Sequence, residues 1–216
     1  MYVVLLGAPG TGKGTQAVIV AKKYGWPHIS TGDMLREHVA TGTSLGLEAK
    51  GFMDAGALVP DGLVIEMLVD RIGRPDAARG FVLDGFPRNL AQAQALDKAL
   101  ARAGKAIDLA LNITAPDDEL VKRLGGRWMC RSCGAIYHEV SNPPRVPGKC
   151  DKCGGDLYQR DDDRAETVRS RLEKQKPPAE MIQHYRSQNE LVNIDGQQTV
   201  DQVTANIIKT IEGWGK

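Results

Sequence analysis

Two groups of residues in this chain have the types and spacing to do chemistry. The first is Gly7-Ala8-Pro9-Gly10-Thr11-Gly12-Lys13-Gly14-Thr15, which follows the apolar run Tyr2-Val3-Val4-Leu5-Leu6 and precedes a helix-like segment. Glycines at 7, 10, 12 and 14 let the backbone turn several N–H groups toward one anion. The following helix adds the positive end of its dipole, and Lys13 adds a mobile charge. The spacing fits the phosphate-loop pattern G-x-x-x-x-G-K-[ST] except that Gly14 stands at the hydroxyl position, which is delayed to Thr15. Such a loop is not expected to hold Mg²⁺ in the usual way, so carboxylates elsewhere must help. Asp33 and Asp84 each close or follow an apolar stretch and precede turn residues, which makes them candidates to orient Mg²⁺ and its waters. A ligand-free glycine turn is the bland alternative for the loop. Likewise, Asp33 could be only a helix-start residue and Asp84 a turn former.

The second group is Cys130-x-x-Cys133, sixteen residues, then Cys150-x-x-Cys153. This is the knuckle spacing of a tetrahedral four-cysteine Zn²⁺ site, with iron not separated from zinc by spacing alone. Four thiolates leave no open coordination position, so the metal is expected to be structural. Two disulfides, or a redox C-x-x-C, are the competing readings, and the clustering within 130–153 does not resemble a secreted disulfide framework.

Around these lie Arg36, Arg88, Arg123, Arg127, Arg160 and Arg171, at loop ends, at helix starts or in the cysteine-bearing stretch. The planar guanidinium suits bidentate phosphate contacts. Each alone would more often be a solvated surface charge. Arg123 and Arg127 are four residues apart and would share one face of a helix. The acidic run Asp161-Asp162-Asp163 reads as a charge cluster at a helix N-terminus.

The elements that must position these residues alternate. Apolar strands are expected at 2–5, 26–30, 80–84, 107–113 and 191–195, and helices at 14–24, 90–102 and 200–213. Residues 31–60 read as purely helical, with pieces opening at Thr31 and spanning 44–54, and a further helix covers 61–73. Gly25 suits a left-handed cap and Asn89 an N-cap, while Pro116 with Asp117, Asp118 and Glu119 marks another helix start. Asp163 followed by Glu166 suggests a reciprocal cap on a long helix broken at Pro177-Pro178. Between 125 and 160 glycine, proline and cysteine leave no room for long helices, so this is an insertion with its own organisation. The alternation implies an α/β fold, an open parallel sheet with helices on both faces and ligands at the strands' carboxyl ends.

The 216 residues are 42% hydrophobic, ample for a packed core. Lys+Arg 28 against Asp+Glu 27 gives +1, without the footprint of a duplex nucleic-acid binder. No run approaches the roughly 18 apolar residues of a membrane span and no basic leader precedes the first strand. A cytoplasmic chain, away from membranes and nucleic acid, is the expectation.

The motifs GAPGTGKGT (7–15), TGDMLR (31–36), LVPD (58–61), DGFPRNLAQ (84–92), RLGGR (123–127) and DDRAETVRSR (162–171), together with the cysteines, closely resemble the adenylate kinase family over nearly the whole chain. The resemblance is to the long-lid, zinc-containing form. It implies a P-loop three-layer core with a five-stranded parallel sheet (1–30, 60–125 and 164–216), a helical nucleoside-monophosphate lobe (31–59) and a zinc-containing lid (126–163). It also implies the reaction ATP + AMP ⇌ 2 ADP with Mg²⁺, and we expect a monomer. Gly10, Thr11, Gly12, Lys13, Gly14 and Thr15 resemble the ATP phosphate cradle, with Arg123, Arg127, Ile136 and Tyr137 on the ATP side. Gln198 falls where the family uses a backbone carbonyl toward adenine. Thr31, Arg36, Ala57, Leu58, Val59, Gly85, Arg88 and Gln92 resemble the AMP pocket, and Arg160 and Arg171 the arginines that reach both phosphoryl groups. Lys13, Asp84, Arg88, Arg123, Arg160 and Arg171 are the residues expected to carry the transfer. Asp161 occupies a place where a basic or neutral residue is expected.

A kinase for UMP or CMP with the same architecture is the nearest rival, though Thr31, Gln92 and the zinc lid lean toward AMP. A zinc-ribbon nucleic-acid module joined to a P-loop switch is a rival of another class. Residues 128–158 mix both charge signs rather than forming a basic, aromatic ribbon, and no N-K-x-D guanine motif occurs.

Overall fold

In the first strand, β1 (Tyr2–Leu6), Val3 and Leu5 enter one apolar layer while Val4 and Leu6 enter another. That alternation fits a strand covered on both faces. The computed structural model describes residues 1–215. β1 leads into α1 (Lys13–Tyr24), β2 (His28–Ser30), α2 (Thr31–Ala40), α3 (Ser44–Asp54) and α4 (Asp61–Ile72). After β3 (Phe81–Asp84) come α5 (Leu90–Ala101), β4 (Leu109–Thr114) and α6 (Asp117–Gly125). The insertion contributes β5 (Arg127–Cys130), β6 (Ile136–His138) and β7 (Leu157–Tyr158). The chain then returns through α7 (Ala165–Gln175), α8 (Ala179–Ser187), β8 (Leu191–Asp195) and α9 (Val200–Gly213).

Five parallel strands stand in the order β2-β3-β1-β4-β8. One face packs Val4, Leu6 and Leu83 against Leu68 of α4, Leu96 of α5 and Tyr185 of α8. The other packs Val3, Leu5 and Leu111 against Val20 of α1 and Ile207 of α9. The fold is therefore the expected three-layer α/β architecture. The chain leaves β1 toward β2 and leaves β4 toward β8, so the connections diverge and open a crevice at the carboxyl ends.

Local signals placed most boundaries. α1 stops at Gly25, φ +66°, and Asn89 caps α5 by accepting the N–H of Gln92. The proline pair separates α7 from α8. Two expectations need correction. Asp163 does not cap α7, whose N-cap is Arg164 with no side-chain cap, because the Asp163 carboxylate is taken by two arginines. Arg123 and Arg127 do not share a helix face. The helix ends at Gly125, Gly126 follows it, and Arg127 opens β5. The insertion folds as a separate three-stranded antiparallel sheet, β6-β5-β7.

α2 and α3 pack against each other so closely that a methyl group on Gly46 would lie 2.1 Å from the His38 carbonyl oxygen. Gly46→Ala is expected to destabilise the protein by about 1–3 kcal/mol through overpacking. Gly51→Ala, in the same helix with open space around it, should leave stability unchanged or gain up to about 1 kcal/mol. Urea unfolding of the two variants checks this contrast.

Candidate functional site

The phosphate-loop sequence folds at the carboxyl end of β1 as a turn that needs positive φ at Gly10 (+87°) and Gly12 (+93°). No side chain caps the first turn of α1, so its leading N–H groups are left for an external acceptor. The Thr11 hydroxyl pins the turn by donating to the Ala8 carbonyl. Lys13 folds back over the loop, its Nζ donating to the Gly7 and Ala8 carbonyls at 2.7 and 2.8 Å. Burial pulls this ammonium down to about 7, against the upward pull of Asp84 and with help from Arg88, Arg171 and Arg127.

Asp84 ends β3 directly beside this turn, with a methyl on Gly14 placed only 3.3 Å from its Oδ2. A side chain at position 14 would crowd that carboxylate, which gives a physical reason for glycine there. Burial pushes the Asp84 carboxyl up, but the His28 ring and Lys13 outweigh it and hold it below the usual range. It is thus an anion beside the anion cradle, the acceptor that the waters of a hydrated Mg²⁺ need. His28 Nε2 is buried, lacks a hydrogen-bond partner and lies 3.8 Å from Asp84 Oδ2.

Next to the loop, Thr31, Arg36, Ala57, Leu58, Val59, Gly85, Arg88 and Gln92 line one cleft with Arg160 and Arg171. The loop after β3 delivers Gly85 and Arg88, α2 delivers Thr31 and Arg36, and α7 delivers Arg171. Arg88 is held by Nε to the Gly85 carbonyl (2.8 Å) and by Nη1 to Gln175 Oε1 (2.5 Å). Gln175 Nε2 in turn reaches the Gly56 carbonyl. Gln92 accepts the Arg88 N–H and donates to Asp61.

Asp162 and Asp163 organise the arginines. Asp163, fully buried, takes both Nε and Nη2 of Arg127 and also Nη1 of Arg171, at 2.6–2.7 Å. Asp162 forms a two-pronged pair with Arg160 at 2.6 and 2.8 Å and lies 3.1 Å from Arg171. Burial raises the Asp162 carboxyl, yet Arg160 and Arg171 carry it down to about 2. Burial brings Arg171 to about 9, partly offset by Asp162. Arg171 Nε is buried with no acceptor among the described residues.

Other expected site residues fall at the margins. Asp33 pairs with Arg36 of its own helix. Arg123 donates to Glu119 and to the Gly196 carbonyl (2.9 Å each), and the exposed Gln198 side chain accepts from Asn206. Ile136 is exposed, whereas Tyr137 turns its side chain into the cysteine cluster. Asp161 pairs at the surface with Arg164. Asp61, Asp162, Asp163 and Gln175 were not among the expected site residues. The available signals were the motif LVPD, which ends on Asp61, and the acid triplet directly after Arg160 and eight residues before Arg171.

In the insertion the four cysteine sulfurs all lie within 4.8 Å of one another, with Cys130–Cys153 at 3.4 Å and Cys133–Cys150 at 3.5 Å. Zn–S bonds of about 2.3 Å place tetrahedral sulfurs roughly 3.8 Å apart, so the set fits zinc. The Tyr137 hydroxyl helps hold the Cys150 thiol down at about 6. The Gly155 N–H pulls Cys153 down, but the neighbouring thiols push it to about 12. Four such sulfurs cannot all be anionic without a cation between them.

The family model described as adenylate kinase matches residues 5–190. A protein of Methanothrix thermoacetophila named adenylate kinase is 52% identical over 212 residues, 98% of each chain. Proteins of the same name from Archaeoglobus fulgidus (52% over 213 residues, 98% of each) and Lysinibacillus sphaericus (53% over 210, 96% of each) are similar throughout.

The arginine network makes its own prediction. Asp163→Asn leaves Arg127 without its carboxylate and Arg171 with one fewer, and should cost about 3–5 kcal/mol of stability. Asp161→Asn removes an exposed pair and should change stability by less than about 0.5 kcal/mol. Chemical denaturation of both variants measures the difference.

Proposed function

The chain belongs to the adenylate kinase family, and on that premise we propose how its residues perform the family's reaction, ATP + AMP ⇌ 2 ADP. The observation that carries the reading is the placement of an arginine-lined cleft beside the phosphate loop, with the buried Arg171 Nε lacking an acceptor.

The first turn of α1 and Lys13 take the ATP phosphates, and Lys13 leaves the Gly7 and Ala8 carbonyls to do so. AMP occupies the cleft of Thr31, Arg36, Ala57, Leu58, Val59, Gly85, Arg88 and Gln92. The Gln92 amide keeps one N–H and one lone pair beyond its bonds to Asp61 and Arg88. That pair suits an adenine edge. Arg88, Arg160 and Arg171 lie where the two phosphate chains meet, and Arg123 with the Gly196–Gln198 backbone serves the ATP base. Mg²⁺ accompanying ATP supplies positive charge at the phosphate oxygens, and Asp84 would hold its waters, with Asp33 further out. Zn²⁺ on Cys130, Cys133, Cys150 and Cys153 would cross-link the insertion.

The acceptor phosphate is already ionised, so transfer needs alignment and charge neutralisation more than a general base. Residues 31–59 and 126–163 act as lobes that close over the core (1–30, 60–125 and 164–216) to exclude water as acceptor. We read the chain as acting as a monomer. No helix among the described residues is long and apolar enough to cross a membrane. The unbridged thiols suit a reducing cytoplasm, and the charge of +1 speaks against nucleic acid as partner.

With AMP, CMP, UMP and GMP offered side by side in a coupled assay of diphosphate formation, AMP should be strongly preferred. Arg88→Lys keeps the charge but loses the fork and should impair both AMP affinity and turnover. Unchanged values in that variant would remove Arg88 from the acceptor site.

Lys13, at about 7 without ligand, should be driven back to its charged form by ATP phosphates. ATP binding at pH 8 should therefore take up about one proton, and uptake should vanish well below pH 7. Calorimetry in buffers of different ionisation enthalpy reads this directly. Lys13→Met should abolish the uptake and lower turnover by at least ~10²-fold, about 2.7 kcal/mol.

A further inference from the structure

β6 turns Tyr137 inward, where it is 5% exposed and packs with Cys130, Cys150, Ala135 and Leu157. Its hydroxyl oxygen lies 2.7 Å from the Asp151 backbone nitrogen and 3.4 Å from Cys150 Sγ. A backbone N–H can only donate, so Asp151 fills the acceptor side of the phenol oxygen. The phenol has one proton, and the neighbour left to receive it is the sulfur. Cys150 is itself buried, so its orientation is set by protein groups rather than bulk water. The backbone N–H of Lys152 also points to that sulfur, at 3.4 Å.

We propose that Tyr137 is a positioning residue for the metal centre: its O–H donates to the Cys150 sulfur, fixes the direction of that ligand and ties the centre to β6. Partners that orient first ligands in this way commonly change metal affinity 10–100-fold when removed. Because Ile136 and Tyr137 also belong to the strand assigned to the ATP side, the hydroxyl joins the metal knuckle to that strand. The proposal rests on reading the four cysteines as a metal site.

The test uses the full chain loaded with Zn²⁺, and in parallel with Co²⁺. Release of zinc to a chromogenic chelator should be at least about tenfold faster in Tyr137→Phe than in the unaltered protein. The thiolate-to-cobalt charge-transfer band should shift in energy. Tyr158→Phe loses a hydroxyl from β7 of the same small sheet, where the ring carries Arg131 rather than a sulfur, and should match the unaltered protein. Incorporating 3-fluorotyrosine at position 137, a stronger donor on the same ring, should slow release. A packing role for the ring would move neither the band nor the release rate. The proposal is overturned if Tyr137→Phe releases zinc within about twofold of the unaltered protein with a superimposable cobalt spectrum. An unaltered chain that retains no metal would instead overturn the metal reading itself.

Discussion

Mutual repulsion among cations is the constraint around which this molecule is arranged. Lys13, Arg36, Arg88, Arg127, Arg160 and Arg171 converge at the carboxyl end of the sheet, although the chain as a whole carries only +1. Burying them together would be prohibitive without counter-charges. Asp163 joins Arg127 to Arg171, Asp162 joins Arg160 to Arg171, Asp33 holds Arg36, and Asp84 faces Lys13 and Arg88. The carboxylates leave selected donors uncommitted, of which Arg171 Nε is the clearest. A cluster held in this way is already oriented before polyanionic substrates arrive, and oriented charge is what phosphoryl transfer uses.

The same constraint explains why the elements around the site are joined by polar side chains as well as by apolar packing. Gln175 spans from Arg88 to the Gly56 carbonyl and so links α7, the loop after β3 and the turn after α3. Asp61 and Gln92 do the same between α4 and α5. These bonds fix where guanidinium planes point, while the apolar layers on either side of the sheet fix where the strand ends lie. The insertion is too small to gain much from a core of its own, since only Cys130, Tyr137 and Cys150 are buried in its cluster. A metal held by its four clustered cysteines would take on the stabilising role that apolar area plays elsewhere.

Much of the fold was legible in the sequence because its signals are local. An apolar run buried on both faces, glycine at the end of α1, asparagine before α5 and the proline pair after α7 act within a few residues, so propensity and capping decide them. The phosphate loop and the two C-x-x-C pairs were equally legible, since a ligand-binding turn and a metal knuckle impose short, fixed spacings. The arginines and the AMP-side residues were reached through motif resemblance. In the structure the residues expected on the AMP side line one cleft together.

The partners of those residues were decided only by the tertiary structure. Asp163 lies three residues before Glu166, as a capping box would require, yet its carboxylate can serve either a helix N-terminus or buried guanidinium groups, and the folded chain brings Arg127 and Arg171 to it. Leaving Arg127 without a carboxylate and the buried Arg171 with one fewer costs more than one uncapped helix end, so the ion pairs win. Arg123 and Arg127 share helical spacing, but the helix ends between them and sends them to different neighbours. Tyr137 sits in a strand whose sequence does not tell which face meets the cysteines, and the antiparallel pairing with β5 turned it toward sulfur. The sequence by itself determined the strands, the glycine turn after β1 and the two C-x-x-C pairs, because those depend on neighbours along the chain. Which carboxylate holds which cation, and which hydroxyl meets which thiol, depends on distances that exist only once the chain has folded.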